Sequence, residues 1–164
     1  MDPKVAELLA HTRVVVEPER LVWVSLPPSE AGAVQRRADR FHAPFCLSFA
    51  PHEVSVVCRE VEWGHAGRGL RVRALQGGYR MITLDVELRM DVVGYLRVVT
   101  DRLAREGVPV SVVSTFHRDH LLVRDEDVDR ARAALESLVA ECRAGIGESA
   151  AGLERAETED ARDL

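Results

Sequence analysis

The spacing of apolar and polar residues changes along the chain in a way that predicts alternating helices and strands. Val5, Leu8 and Leu9 fall on one side of a short helix from Pro3 to Ala10, with Pro3 tolerated in the first turn. Arg13 to Val16 and Leu21 to Leu26 are β-rich runs; Glu17-Pro18-Glu19-Arg20 between them reads as a hairpin or offset turn. Ser29 caps a short helix through about Arg40, and Phe45 to Phe49 and Val54 to Cys58 read as strands about the turn Pro51-His52-Glu53. Val61 to Gly69, rich in glycine, reads as loop. Leu70 to Leu75 and Arg80 to Leu88 flank Gln76-Gly77-Gly78, a glycine pair suited to a tight hairpin turn.

Ile82, Leu84, Val86 and Leu88 alternate with Met81, Thr83, Asp85 and Glu87, so one face of that strand is buried and the other mostly polar. Asp91 is placed to cap a helix whose Val92, Leu96, Val99 and Leu103 share a face, and Gly107 stops it. Val108 to Phe116 and Leu121 to Arg124 read as strands. A last helix starts at Asp125, turns Val128, Ala131, Leu135, Leu138 and Cys142 inward and ends near Gly145; residues 146–164 read as an acidic, Ala-rich, disordered or frayed tail.

This order predicts an α+β fold of two ferredoxin-like βαββαβ units with antiparallel sheets and helices on one face. The first, residues 1–76, is degenerate and lacks its second helix; the second, residues 77–145, lacks its last strand. Because an open sheet edge invites aggregation, Arg13 to Val16 is expected to complete the second sheet.

Of the 164 residues 46% are hydrophobic, enough for a core without disulfides. The formal net charge of −5, with basic and acidic residues mixed, argues against a nucleic-acid partner. Three widely spaced cysteines fit a reducing compartment. The amino end has no basic-then-apolar leader pattern and no apolar run approaches a membrane span, so a cytoplasmic location is expected.

Gly78-Tyr79-Arg80, Leu88 through Leu96 with Gly94, Glu106 through Phe116, and Asp119-His120-Leu121-Leu122-Val123 together resemble the ACT-domain family. The resemblance is to its small tandem-ACT proteins, related to the ACT modules of aspartate kinase and of the eukaryotic cytosolic arginine sensor. The run Ser114-Thr115-Phe116 to Asp119 and Leu122-Val123 is its most specific part, and Glu53 to Cys58 resembles a segment of the family's first unit. The chain departs from the pattern at His117, Arg118 and His120. The resemblance implies a non-enzymatic regulatory protein, a homodimer, binding a free amino acid between ACT units. The ligand would be held by Met90, Asp91, Val93 and Gly94 of the loop into the first helix and by Ser114, Thr115, Phe116 and Asp119 at the second strand's end.

A helix starting at Asp91 would also point free N–H groups and a positive dipole end at that loop, suited to a carboxylate, while Asp119 could take an amino group. The plainer alternative is that Asp91 only caps, Gly94 only permits packing and Asp119 only makes a turn. His117, Asp119 and His120 do not form a metal motif, and no catalytic constellation or cofactor loop is evident: Cys46 and Cys58 sit in predicted buried strands, and Ser111 and Ser114 lack a nucleophile-elbow pattern. An interaction module that has kept the fold but no ligand is the alternative function.

Overall fold

The computed structural model describes residues 1–160, and side chains through residue 147. The elements are α1 (Pro3–His11), β1 (Arg13–Val16), β2 (Leu21–Leu26), α2 (Ala31–Gln35), β3 (Cys46–Phe49), β4 (Val54–Arg59), α3 (Glu60–Ala66), β5 (Ala74–Asp85), α4 (Tyr95–Arg105), β6 (Ser111–Ser114), β7 (Asp119–Arg124) and α5 (Val128–Asp160). All strands join one antiparallel sheet ordered β3-β4-β2-β5-β7-β6, with β1 also on β5.

The order resolves into two complete ferredoxin-like arrangements. In the first, β2-α2-β3-β4-α3 is closed by the opening half of β5, which runs beside β2 from Ser25↔Ala74 to Leu21↔Tyr79. In the second, β5-α4-β6-β7-α5 is closed by β1, paired from Arg13↔Asp85 to Val16↔Ile82. The expected completion of the second sheet by residues 13–16 is therefore present. β1 and β2 lie end to end along the same edge of β5, so residues 17–20 are an offset between them and not a hairpin.

Three sequence expectations fail in the first unit. Ser29 does not cap a helix: it lies inside a 3-10 turn, Pro28–Glu30, and α2 follows from Ala31 to Gln35 without a side-chain cap. Gln76-Gly77-Gly78 is not a hairpin turn: β5 runs through it as one strand, and the register against β2 shifts between Leu21 and Trp23. Gly78 has φ +73°, the left-handed backbone that serves a bulge as well as a turn. Glu60 fixes this choice, because its Oε1 accepts from the Gly78 N–H at 2.6 Å. A Cβ on Gly77 would lie 2.7 Å from the same oxygen. The boundary drawn at residues 76–77 falls inside this strand. The expected loop at Val61 to Gly69 contains α3, whose Ala66 is buried and whose Trp63 packs on the first unit's core; docking outweighs the glycines' poor helix propensity. Gly78→Val should destabilise the protein by about 2 kcal/mol, because a β-branched residue resists positive φ. Urea unfolding would show it as a lower midpoint at unchanged slope.

α5 continues past Gly145, where its end was expected, to Asp160. Ala and Glu favour helix even where large apolar residues are missing. Residues 161–164 of the expected tail lie outside the described residues.

The helices cover one face of the sheet. α1, α4 and α5 bring Val5, Leu9, Val99, Leu103, Leu135 and Leu138 onto Ile82, Leu84, Leu121 and Val123. α2 and α3 cover Val22, Val24, Leu26, Val54 and Val56. The opposite face has its own small core of Leu21, Val57, Met81 and Leu122, although among the described residues no helix lies on it.

Candidate ligand-binding groove

The residues that lead from β5 into α4 and those that turn from β6 to β7 enclose a groove of ≈ 610 Å³. Residues 88–97 form one wall and residues 114–119 the other. The walls are joined where the Leu88 N–H donates to the His117 carbonyl at 2.9 Å. The β6–β7 turn is closed by the Thr115 N–H on the Arg118 carbonyl at 2.9 Å.

α4 begins at Tyr95, not at Asp91. Its N-cap is Gly94 at φ +96°, with no side-chain cap. The Asp91 carboxylate instead faces Arg89 at 3.0 Å and Lys4 at 3.8 Å. The Arg89 guanidinium holds it below the usual carboxylate range. Asp91 was misplaced because Val92 and Val93 look like a first helical turn, whereas the glycine two residues later supplies a backbone that no capping carboxylate provides. The first N–H groups of α4, on Tyr95, Leu96 and Arg97, have no intrahelical acceptor by the nature of a helix start, and these three residues line the groove. A Cβ built on Gly94 meets nothing within 4 Å, so the space beside these groups is open.

Opposite lies Asp119, on the same sheet face as Leu84. It is only 8% exposed, yet lines the groove. Among the described residues its one side-chain donor is the Ser114 hydroxyl, at 2.6 Å. Of the expected site, Met90, Gly94, Ser114, Thr115, Phe116 and Asp119 thus share one groove, while Asp91 and Val93 turn to other surfaces. Tyr95 and Arg118, absent from that expectation, also line it. Tyr95 is buried, shares a 2.8 Å hydrogen bond with Thr12, and its phenol is pushed up to about 12, by burial first. Its place at the start of an apolar helical stripe was the available signal. Arg118 donates to Asp85 at 2.8 Å.

Residues 74–137 match the sequence profile described as the ACT domain. Over this stretch the chain is similar to the ACT domain. The match runs from β5 into α5, across both groove walls. Among solved structures, a protein of unknown function from Vibrio cholerae, described as a possible transport protein, has 22% identity and a TM-score of 0.64, covering 83% of this chain and 96% of its own. The ligand-free regulatory subunit of aspartate kinase from Thermus thermophilus has 12% identity and a TM-score of 0.61, covering 76% of this chain and 95% of its own. A protein from Agrobacterium tumefaciens has 22% identity and a TM-score of 0.62, covering 78% and 89%. At these identities the likeness is one of fold. No curated protein matches the chain significantly.

Burial raises the thiol pKa of all three cysteines, with Cys58 pushed up to about 12, so none is an activated nucleophile. Among the described residues no three His, Cys, Asp or Glu side chains converge as metal ligands would. No described helix is long and apolar enough to cross a membrane.

His120, next to Asp119 in β7, faces the other side of the sheet. Burial, first, holds its imidazole below the ordinary value; Asp119 and Glu17 oppose this and Arg118 adds to it. The folded state therefore takes up this proton less readily than the unfolded chain, whose histidine titrates near about 6.5. The stability this group contributes is present above that pH and is lost as pH falls through it. The thermal midpoint should drop between about pH 7.5 and 5.5, and His120→Gln should shrink the drop. The carboxylates held low, Glu53, Asp85, Asp91 and Glu141, act in a separate, more acidic window.

Proposed function

We propose that this ACT domain binds a free amino acid in the groove, with the ligand carboxylate on the N–H groups opening α4 and its ammonium on Asp119. The observation that carries this reading is the nearly buried Asp119 carboxylate with one neutral donor. A carboxylate that can accept about four hydrogen bonds, has one from a neutral hydroxyl and opens onto the groove is placed to receive a cation. The α4 start supplies the opposite end of a zwitterion's needs, and Phe116 and Met90 offer apolar contact to a side chain. The reading makes the protein non-enzymatic, its output a change in association with another protein.

A second copy is the natural cover for the groove. Met90, Val93 and Phe116 at or beside its rim are 82%, 85% and 74% exposed, more apolar surface than a lone loop needs. This supports a homodimer in which the ligand lies between ACT units. The same rim is the one feature that favours the second reading, an interaction module without a ligand.

Thermal-shift measurement against each amino acid separates the two. A ligand at about a hundred times its Kd adds about 2.7 kcal/mol to the folded state, a shift of several degrees. No shift with any amino acid leaves the interaction module as the better account.

A further inference from the structure

The sheet curls so far that its two outer strands face each other. Six strands spaced about 4.8 Å apart would put β3 and β6 roughly 24 Å apart if flat. Yet Cys46 of β3 and Val113 of β6 both pack on the small core of the helix-free face and both line one cavity of ≈ 360 Å³. That volume lies within the about 300–1,000 Å³ of small-ligand pockets. The segment before β3 forms a further wall and is tied down by Arg59, whose guanidinium donates to the Ala43 carbonyl. Ser114 and Thr115 border this cavity as well as the groove, and the alternation of β7 sends Asp119 to one and His120 to the other.

The lining is divided. Phe45, Cys46, Met81 and Val113 make an apolar side, while Glu17, Thr83, Thr115 and His120 gather at the other. The Thr83 hydroxyl lies 3.3 Å from Glu17 Oε1 and 3.0 Å from His120 Nδ1. One proton arrangement satisfies both contacts: His120 Nδ1–H donates to Thr83, and Thr83 donates to Glu17. Burial favours the neutral form of this imidazole. His120 Nε2 then carries a lone pair with no closer partner than Thr115 Oγ1 at 3.3 Å, and the second Glu17 oxygen is a further acceptor. The polar corner offers acceptors and a negative charge, and its donors are already used.

We propose that this cavity is a second ligand site, separate from the ACT groove, for a small molecule joining a compact apolar body to a protonated amine. The amine would sit between Glu17 and His120 Nε2, and the body against Met81, Cys46 and Val113. The assignment does not depend on what the groove binds.

Phenethylamine is a suitable probe, with 2-phenylethanol and 3-phenylpropionate as neutral and anionic counterparts. In NMR titrations of the full chain, phenethylamine should perturb the Met81 methyl, Val113 and the His120 ring, and should bind at least about tenfold more tightly than either counterpart. Glu17→Gln should weaken it by about tenfold or more. Perturbations confined to residues 88–97, equal binding of the anion, unaltered affinity in Glu17→Gln, or no binding below about 1 mM would each overturn the proposal. Because the wild-type titration reads the site directly, the test stands even if a variant folds poorly.

Discussion

Deleting residues 1–16 should lower the thermal midpoint by roughly 10–20 °C or abolish the cooperative transition altogether. These residues are far in sequence from the second unit, yet they close its sheet. β1 occupies the edge of β5 from Ile82 to Asp85. α1 lays Val5, Leu9 and Ala10 onto the core formed with α4 and α5. Burying Val5 and Leu9 contributes about 3–6 kcal/mol together at ~1.5–3 kcal/mol each, against a typical total of about 5–15 kcal/mol. The deletion also takes the Thr12 partner of the buried Tyr95 hydroxyl and bares a strand edge, so aggregation is expected as well. Differential scanning calorimetry decides the matter: a truncated protein with the parental midpoint would mean that β1 does not belong to the sheet.

Asp119→Asn should weaken amino-acid binding by about 10- to 100-fold, the equivalent of roughly 1.5–3 kcal/mol for a hydrogen bond to a charged group. The amide keeps the shape and can still accept from Ser114, so the loss isolates the charge. The same change should leave the ligand-free protein as stable as before or slightly more so, because it removes a poorly solvated carboxylate. A residue that serves only the fold would show the reverse, lower stability with binding in proportion. Isothermal titration with whichever amino acid gives a thermal shift, paired with urea unfolding of the free variant, reads both quantities. An unaltered affinity would remove Asp119 from the site and with it the proposed orientation of the ligand.

Where local pattern and tertiary pairing agree, the sequence was readable. Arg13 to Val16 could be assigned to the second unit because a ferredoxin-like sheet without its fourth strand needed one and this run was free. Six of the eight expected residues line one groove, since Ser114 to Asp119 and the glycine at position 94 lie in a motif whose turn geometry is local, whereas Tyr95 and Arg118 were missed. The errors have a common origin. Gly77-Gly78 supports positive φ in a hairpin or a bulge alike, and only Glu60, distant in sequence, selects the bulge. α3 forms because Trp63 and Ala66 find a surface to dock on, which no propensity records. Asp91 lost the capping role to a glycine backbone.

The cavity on the helix-free face could not be read at all as a site, because its walls come from residues 17, 43–46, 81–83 and 113–120 and meet only through curvature. A trace of it was present. Leu21 to Leu26 is apolar at nearly every position, and Met81 interrupts the polar side of β5. Both are signs of strands buried on two faces.

The pairing of the first strand with residues near the middle of the chain also sets an order of events during synthesis. α1 and β1 leave the ribosome ahead of the other described elements, but β1 has no partner until β5 has followed it. The Ala10 carbonyl meets Arg143 across a separation of 133 residues. At about 5–20 residues per second the nascent amino end waits ~7–27 s for that neighbour. The first unit's β2, β3 and β4 can zip together in the meantime. Val5 and Leu9 meanwhile stay exposed to chaperones, and a segment made before the rest of this fold is among the last to find its place.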